Sequence, residues 1–161
     1  MSCSDGVHYT LVGTQKDFRE ALENLIELDY AAAASYQEAI EHLKYAEYKR
    51  KLKEFQHDHE RHIKEFGEII RKMGHEPPTG AGIKQLFTQG KVMFANLIGD
   101  KAILKAMKSN EDDTNTAYER LNDHIGKTEE TRELLRRGLE DERKHRQWIE
   151  QAIKEFEEVH A

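Results

Sequence analysis

Apolar residues recur every three or four positions through Phe18, Leu22, Ile26, Ala33, Tyr36, Ile40 and Leu43, the spacing of one face of an α-helix. The stripe predicts a first helix from about Thr14 to about His42, with Thr14 as N-cap and Asp17 three residues later. A second stripe passes through Tyr48, Leu52, Phe55, Phe66, Ile70 and Met73 and ends at Gly74, a residue that readily takes the left-handed conformation past a helix C-terminus. The link from Leu43 to Tyr48 is short, which makes the first two helices antiparallel neighbours. The segment Gly74-His75-Glu76-Pro77-Pro78-Thr79-Gly80 then breaks the chain. From Ile83 to Ile98 the pattern is helical again but interrupted by Gly82, Gly90 and Gly99, and it predicts a helical crossover within about 75–99. Asp100 is placed to cap a third helix carrying Leu104, Met107, Thr114, Tyr118 and Leu121 to about Asn122. A fourth, from about Thr128 to about Val159, shows Leu135, Leu139, Ile149, Ile153 and Phe156. Two antiparallel pairs joined by a long helical crossover predict an all-α, four-helix bundle over about 14–158.

Composition agrees with that reading. At 161 residues the chain is one domain by length. Charged residues make up 35% against 37% apolar, and the two prolines are adjacent, a profile of long amphipathic helices. The net charge of −6 is spread over interspersed acids and bases, which excludes the segregated basic face a nucleic-acid partner requires. No apolar run reaches the length of a membrane span, and the start of the chain lacks the basic and apolar regions of a leader, so the expectation is a cytoplasmic protein. Cys3 has no second cysteine to pair with, so redox chemistry would rely on other ligands.

The unusual feature is where some ionisable residues fall. Asp29 lies in the first stripe between Ile26 and Ala33, and His59 and His62 fill the gap between Phe55 and Phe66. Glu111 lies between Met107 and Thr114, while Glu142 and His145 interrupt the stripe between Leu139 and Ile149. Each helix therefore gives core positions to groups that are costly to bury unpaired. The arrangement is also stated twice. An acid precedes a tyrosine by two helical turns in Asp29/Tyr36 and again in Glu111/Tyr118, and a His-ended acidic cluster follows in Asp58–His62 and in Asp141–His145. The acid-to-histidine spacing agrees to within one residue between the halves. A bound cation relieves the burial cost, and Glu142 and His145, three residues apart on one helix, converge on a single ion. Mixed carboxylate and imidazole donors suit iron or manganese, whereas a structural zinc site more often uses thiolates.

An acid with a tyrosine two turns on in helices one and three, and Glu-x-x-His in helix four, resembles the ferritin-like superfamily, especially its rubrerythrin-type and bacterioferritin-type di-iron proteins. The resemblance spans about Thr14 to Phe156. It implies a single ferritin-like domain over 1–161, with Asp29, His62, Glu111, Glu142 and His145 as ligands of two iron ions and Tyr36 and Tyr118 as partners that orient the carboxylates. Two positions depart from the family pattern. Asp29 stands where the family has Glu, and the helix-two motif is His59-x-x-His62, so imidazole replaces a carboxylate that would bridge both metals. His59 then joins the candidate ligands, and Asp58, four residues before His62, is an alternative one.

The function implied is metal binding, most naturally iron, with ferroxidase- or peroxidase-like oxidation chemistry, so that as an enzyme the protein would be a non-haem di-iron oxidoreductase. Lacking the cysteines of a rubredoxin module, it would need an external electron donor. The last helix runs almost to Ala161, which leaves no extra short helix of the cage-forming kind and favours a homodimer. Two alternatives stay open: a non-catalytic interaction or stress bundle with a degenerate site, and a mononuclear metal-binding protein taking zinc or nickel at His59 and His62, manganese or zinc also being admissible in the paired site.

Overall fold

The computed structural model describes residues 9–89 and 93–160; Cys3, His8, Gly90 and Ala161 lie outside them. Among the described residues there are four α-helices and no strand: α1 (Phe18–His42), α2 (Ala46–Lys72), α3 (Gly99–Asp123) and α4 (Glu129–Val159). The helices form as the apolar stripes require, with Leu22, Ile26, Leu52, Phe55, Phe66, Ile70, Leu104, Met107, Leu121, Leu135 and Ile149 all buried. α1 packs most extensively on α2 and α3 on α4, with α1 against α3 next and α2 against α4 least. This is a four-helix bundle built from two hairpins.

Helix starts depend on which side chain is free to accept a backbone N–H. α1 begins at Phe18 rather than near Thr14, because Asp17 caps it by accepting from the Glu20 N–H at 3.1 Å. The Thr14 hydroxyl is already engaged, donating to the Leu11 carbonyl at 2.6 Å. α4 starts where expected, with Thr128 and Thr131 capping each other's backbone. Gly74, at φ +86°, ends α2 in the left-handed region.

Asp100 has a different role from the expected cap. It lies in the first turn of α3, 4% exposed, and its two oxygens accept from the Lys44 and Tyr45 N–H groups at 2.9 Å each. The start of α3 is thereby fastened to the α1–α2 turn, so the crossover has travelled the whole length of the bundle. α3 consequently runs antiparallel to α1.

The crossover itself is not the expected helix. Among its described residues only Phe94–Asn96 forms a helical turn, of the 3-10 type. Its apolar periodicity reflects anchoring, since Leu86, Phe87 and Phe94 are buried against the helices. Gly82 takes φ +71°, which a continuous right-handed helix does not allow. Asp113 of α3 holds this strap, accepting from Thr88 N–H at 2.8 Å and from Thr10 N–H at 2.9 Å.

The core is divided in two. One apolar cluster gathers Leu22, Leu25, Ile26, Phe66, Ile70, Leu121 and Leu135. The other gathers Tyr36, Leu52, Phe55, Leu104, Met107 and Ile149. Between them lies a layer of buried acids and histidines.

Replacing Asp100 by Ala removes both acceptors and leaves two backbone donors at the α1–α2 turn. A loss of about 1–3 kcal/mol is expected from chemical denaturation; an unchanged midpoint would show that the clamp is energetically idle.

Candidate metal centre

All six sequence-derived candidates meet in that central layer. Asp29 from α1, His59 and His62 from α2, Glu111 from α3 and Glu142 and His145 from α4 are each at most 3% exposed. Their donor atoms fall into two overlapping sets, Asp29/His59/His62/Glu142 and His59/Glu111/Glu142/His145, and within each set the atoms lie within 4.8 Å of one another. Either set could hold a metal ion.

Glu142 belongs to both sets through its two oxygens. Its Oε1 is 3.5 Å from His59 Nδ1 and 3.6 Å from His62 Nδ1, while its Oε2 is 3.6 Å from His145 Nδ1. His59 belongs to both through its two nitrogens. Its Nδ1–H donates to Asp29 Oδ1 at 2.8 Å, and its Nε2 faces Glu111 Oε1 at 3.6 Å. His59 and Glu142 are thus the two residues shared by both sets.

The tyrosines are exchanged between halves. Tyr36 of α1 donates to Glu111 of α3, and Tyr118 of α3 donates to Asp29 Oδ2 at 2.7 Å. Each therefore orients the acid of the other motif copy. Thr114 adds a 3.1 Å contact to Glu111 Oε2.

The outer aspartates are exchanged in the same way. His62 Nε2–H donates to Asp141 Oδ2 at 2.9 Å, and His145 Nε2–H donates to Asp58 Oδ2 at 2.8 Å. Asp58, the alternative ligand, is therefore in neither set. It holds His145 from the far side, turning Nδ1 inward, as Asp141 does for His62. Asp141 was visible in the sequence only as the repeat of Asp58, four residues before a histidine.

Gly138 carries no chemistry and was not singled out from the sequence. A Cβ there would lie 2.5 Å from the Tyr118 ring, so the glycine makes the space in which Tyr118 reaches Asp29. The one available signal was an isolated glycine inside the α4 pattern. Trp148 stands one ring out from the layer. It packs on Phe55 at 5.8 Å, and Phe55 covers the His145 ring at 4.3 Å.

Four atoms in this layer have no hydrogen-bond partner: His59 Nε2, both oxygens of Glu142, and His145 Nδ1. Buried polar atoms are normally satisfied. Here three of the four side chains facing the Glu111 half are unsatisfied together and aimed at one another, which is the donor arrangement a cation completes.

Electrostatics bind the layer in the absence of an ion. Burial disfavours the His59 imidazolium, but the Glu142 charge and hydrogen bonds to Asp29 and Glu111 outweigh it and push its pKa up to about 10. For His62 burial is likewise overcome, by Asp141 and Asp29, which raise it to about 9. His145 is raised well above the ordinary value as Asp58, Glu111 and Glu142 offset its burial. Asp29 and Glu111 are held below the usual carboxylate range, burial being outweighed by the neighbouring histidines. Glu142 is raised, because burial together with Glu111 prevails over the attraction of His59.

The sign of the pH dependence follows. Histidines raised on folding contribute stability that is complete below about pH 6.5 and is lost as pH rises through about 9 to 10. Asp29 and Glu111 contribute above the ordinary carboxylate range, and that part is lost as pH falls through their lowered values. Chelator-treated protein is expected to have a lower urea midpoint at about pH 9.5 than at about pH 6, and a flat profile would contradict the charge pairing. Gly138→Ala should lower the unfolding free energy at every pH by about 1–3 kcal/mol through the Tyr118 overlap.

No curated protein and no solved structure matches the chain. A family model does match, over residues 17–124, a span that holds α1, α2 and α3 with Asp29, His59, His62, Glu111 and both tyrosines, and stops before α4. On that match the chain belongs to the family described as Domain of unknown function (DUF2383).

Proposed function

We propose that this protein is a ferritin-like, single-domain di-metal protein whose central layer binds two transition-metal ions, most naturally iron, for ferroxidase- or peroxidase-like oxidation. The observation that carries the reading is the set of unpartnered, fully buried donor atoms on His59, Glu142 and His145. Burying such groups without a partner is unfavourable by several kcal/mol, and a cation removes that penalty. Mixed carboxylate and imidazole donors without thiolate favour iron or manganese.

In this reading Asp29, His59, His62 and Glu142 would hold one ion, and His59, Glu111, Glu142 and His145 the other. His62 and His145 present Nδ1 inward because Asp141 and Asp58 hold their outer nitrogens. Tyr36 and Tyr118 keep Glu111 and Asp29 turned toward the layer. The apolar clusters above and below exclude water. A bound pair of redox-active ions would supply electrons to dioxygen or peroxide. Any turnover beyond oxidation of the metal draws on an external electron donor.

Metal competes with protons for His59, His62 and His145, so affinity rises with pH and loading releases protons. Anaerobic titration with Fe(II) is expected to show two ions per chain, followed on oxygen or peroxide addition by growth of ferric near-ultraviolet absorption. Glu142→Gln should abolish the second equivalent and the oxidation. Asp58→Ala, which removes only the outer support of His145, should weaken binding roughly ten- to a hundredfold. Wild-type protein that takes up no iron and melts identically with and without it would sink the reading.

A further inference from the structure

The two donor sets differ in how they are held before any ion arrives. In the Glu111 half, His145 directs Nε2–H outward to Asp58 and leaves Nδ1 without a partner. His59 directs Nδ1–H to Asp29 and leaves Nε2 without a partner. Glu142 Oε2 is also free, and Glu111 Oε1, which accepts from Tyr36, lies 3.6 Å from both His59 Nε2 and His145 Nδ1. An ion can enter this half without breaking one of its hydrogen bonds.

The Asp29 half is closed on itself. Asp29 Oδ1 is taken by His59 and Oδ2 by Tyr118, and the Tyr118 oxygen is 2.9 Å from His62 Nδ1. The Tyr118 oxygen thus stands between Asp29 and the inward nitrogen of His62, within hydrogen-bond reach of both. The inward nitrogen of His62 and both oxygens of Asp29 are thus engaged with each other through Tyr118 and His59. Metal binding there must first open this chain of bonds.

Access differs in the same direction as bonding. A surface hollow of about 240 Å³ between α2 and α4 is lined by Arg61, His62, Glu65, Gly138 and Asp141 among others. His62 is the only one of the six candidate ligands on its wall. Arg61 reaches across it to Asp141, the residue that holds His62. His145 is fully buried beneath Phe55.

Building on the di-metal reading, we infer that the two positions have different duties: His59 Nε2, Glu111, Glu142 and His145 hold a resident ion, whereas Asp29 and His62 form an exchangeable position for a second divalent cation entering beside Asp141. The second cation is the substrate of the site. His59 acts as a ligand of the resident position through Nε2, and its Nδ1–H keeps Asp29 in reserve.

The test is anaerobic titration of the full chain with Fe(II), followed by calorimetry and native mass spectrometry and then by release to excess chelator. Two steps are expected, the first at least about tenfold tighter than the second, with one ion released well before the other. Asp29→Asn keeps a carbonyl acceptor for His59 and should weaken only the second step. Glu111→Gln should weaken the first. Two equal steps with simultaneous release, or a first step weakened by Asp29→Asn, would overturn the inference while leaving a di-metal protein. A single ion, bound by the wild type and by Asp29→Asn alike, would remove the exchangeable position. Failure of the wild type to bind any ion would overturn both this inference and the reading beneath it.

Discussion

Everything in this bundle is arranged around the fully buried carboxylate of Glu142, which has no hydrogen-bond donor in reach. An ionised acid in a dry core is tolerated only with charge compensation on hand. The chain supplies it collectively, with three carboxylates and three imidazoles in one layer drawn from all four helices. No member can be shifted without rephasing its helix, because each occupies a position in an apolar stripe. The layer therefore fixes helix register as firmly as the leucines above and below it do.

The same constraint explains how the least intimate helix pair is joined. α2 and α4 make little direct contact, yet His62 reaches Asp141, Asp58 reaches His145, and Arg137 reaches Glu65 at 3.3 Å. α1 and α3 are tied by Tyr36 to Glu111 and by Tyr118 to Asp29. Hydrogen bonds to charged groups of this kind contribute about 1.5–3 kcal/mol each when buried. Apart from His59 to Asp29, these bonds run from one motif copy to the other, so neither hairpin alone can satisfy its tyrosines and the outer nitrogens of His62 and His145. The chain must close as a bundle before its polar layer is complete.

Much of this was legible from spacing alone. A stripe interrupted by Asp29, by His59 and His62, by Glu111, or by Glu142 and His145 placed those six residues in the core, and the core is where they are. The exchange of partners was not legible, since it depends on α3 running antiparallel to α1, and that direction is set by a crossover whose path periodicity misreports. Leu86, Phe87 and Phe94 have helical spacing but serve as separate anchors on a strap. Asp100 shows a similar limit. An acid at a helix start is a natural cap by local rules, and only the tertiary fold brings the Lys44 and Tyr45 N–H groups to it. Thr14 and Asp17 were both chemically fit to cap α1, and the choice was made by Leu11, which lies outside the helix pattern.

His59 gives this layer its particular character. With a carboxylate at that position the layer would hold four acids against two histidines, and folding without metal would bury excess negative charge. With imidazole there, three acids face three bases, each of which those acids push above its ordinary value against the cost of burial. The layer can then close without an ion, protons standing where a metal would. Metal loading in such a protein follows folding and proceeds by displacement of those protons, and the donor atoms left unpartnered mark where displacement meets least resistance. His59 stands at that point with one nitrogen committed to Asp29 and the other facing Glu111, so a single substitution changes both the charge balance of the empty core and the order in which its two halves can be filled.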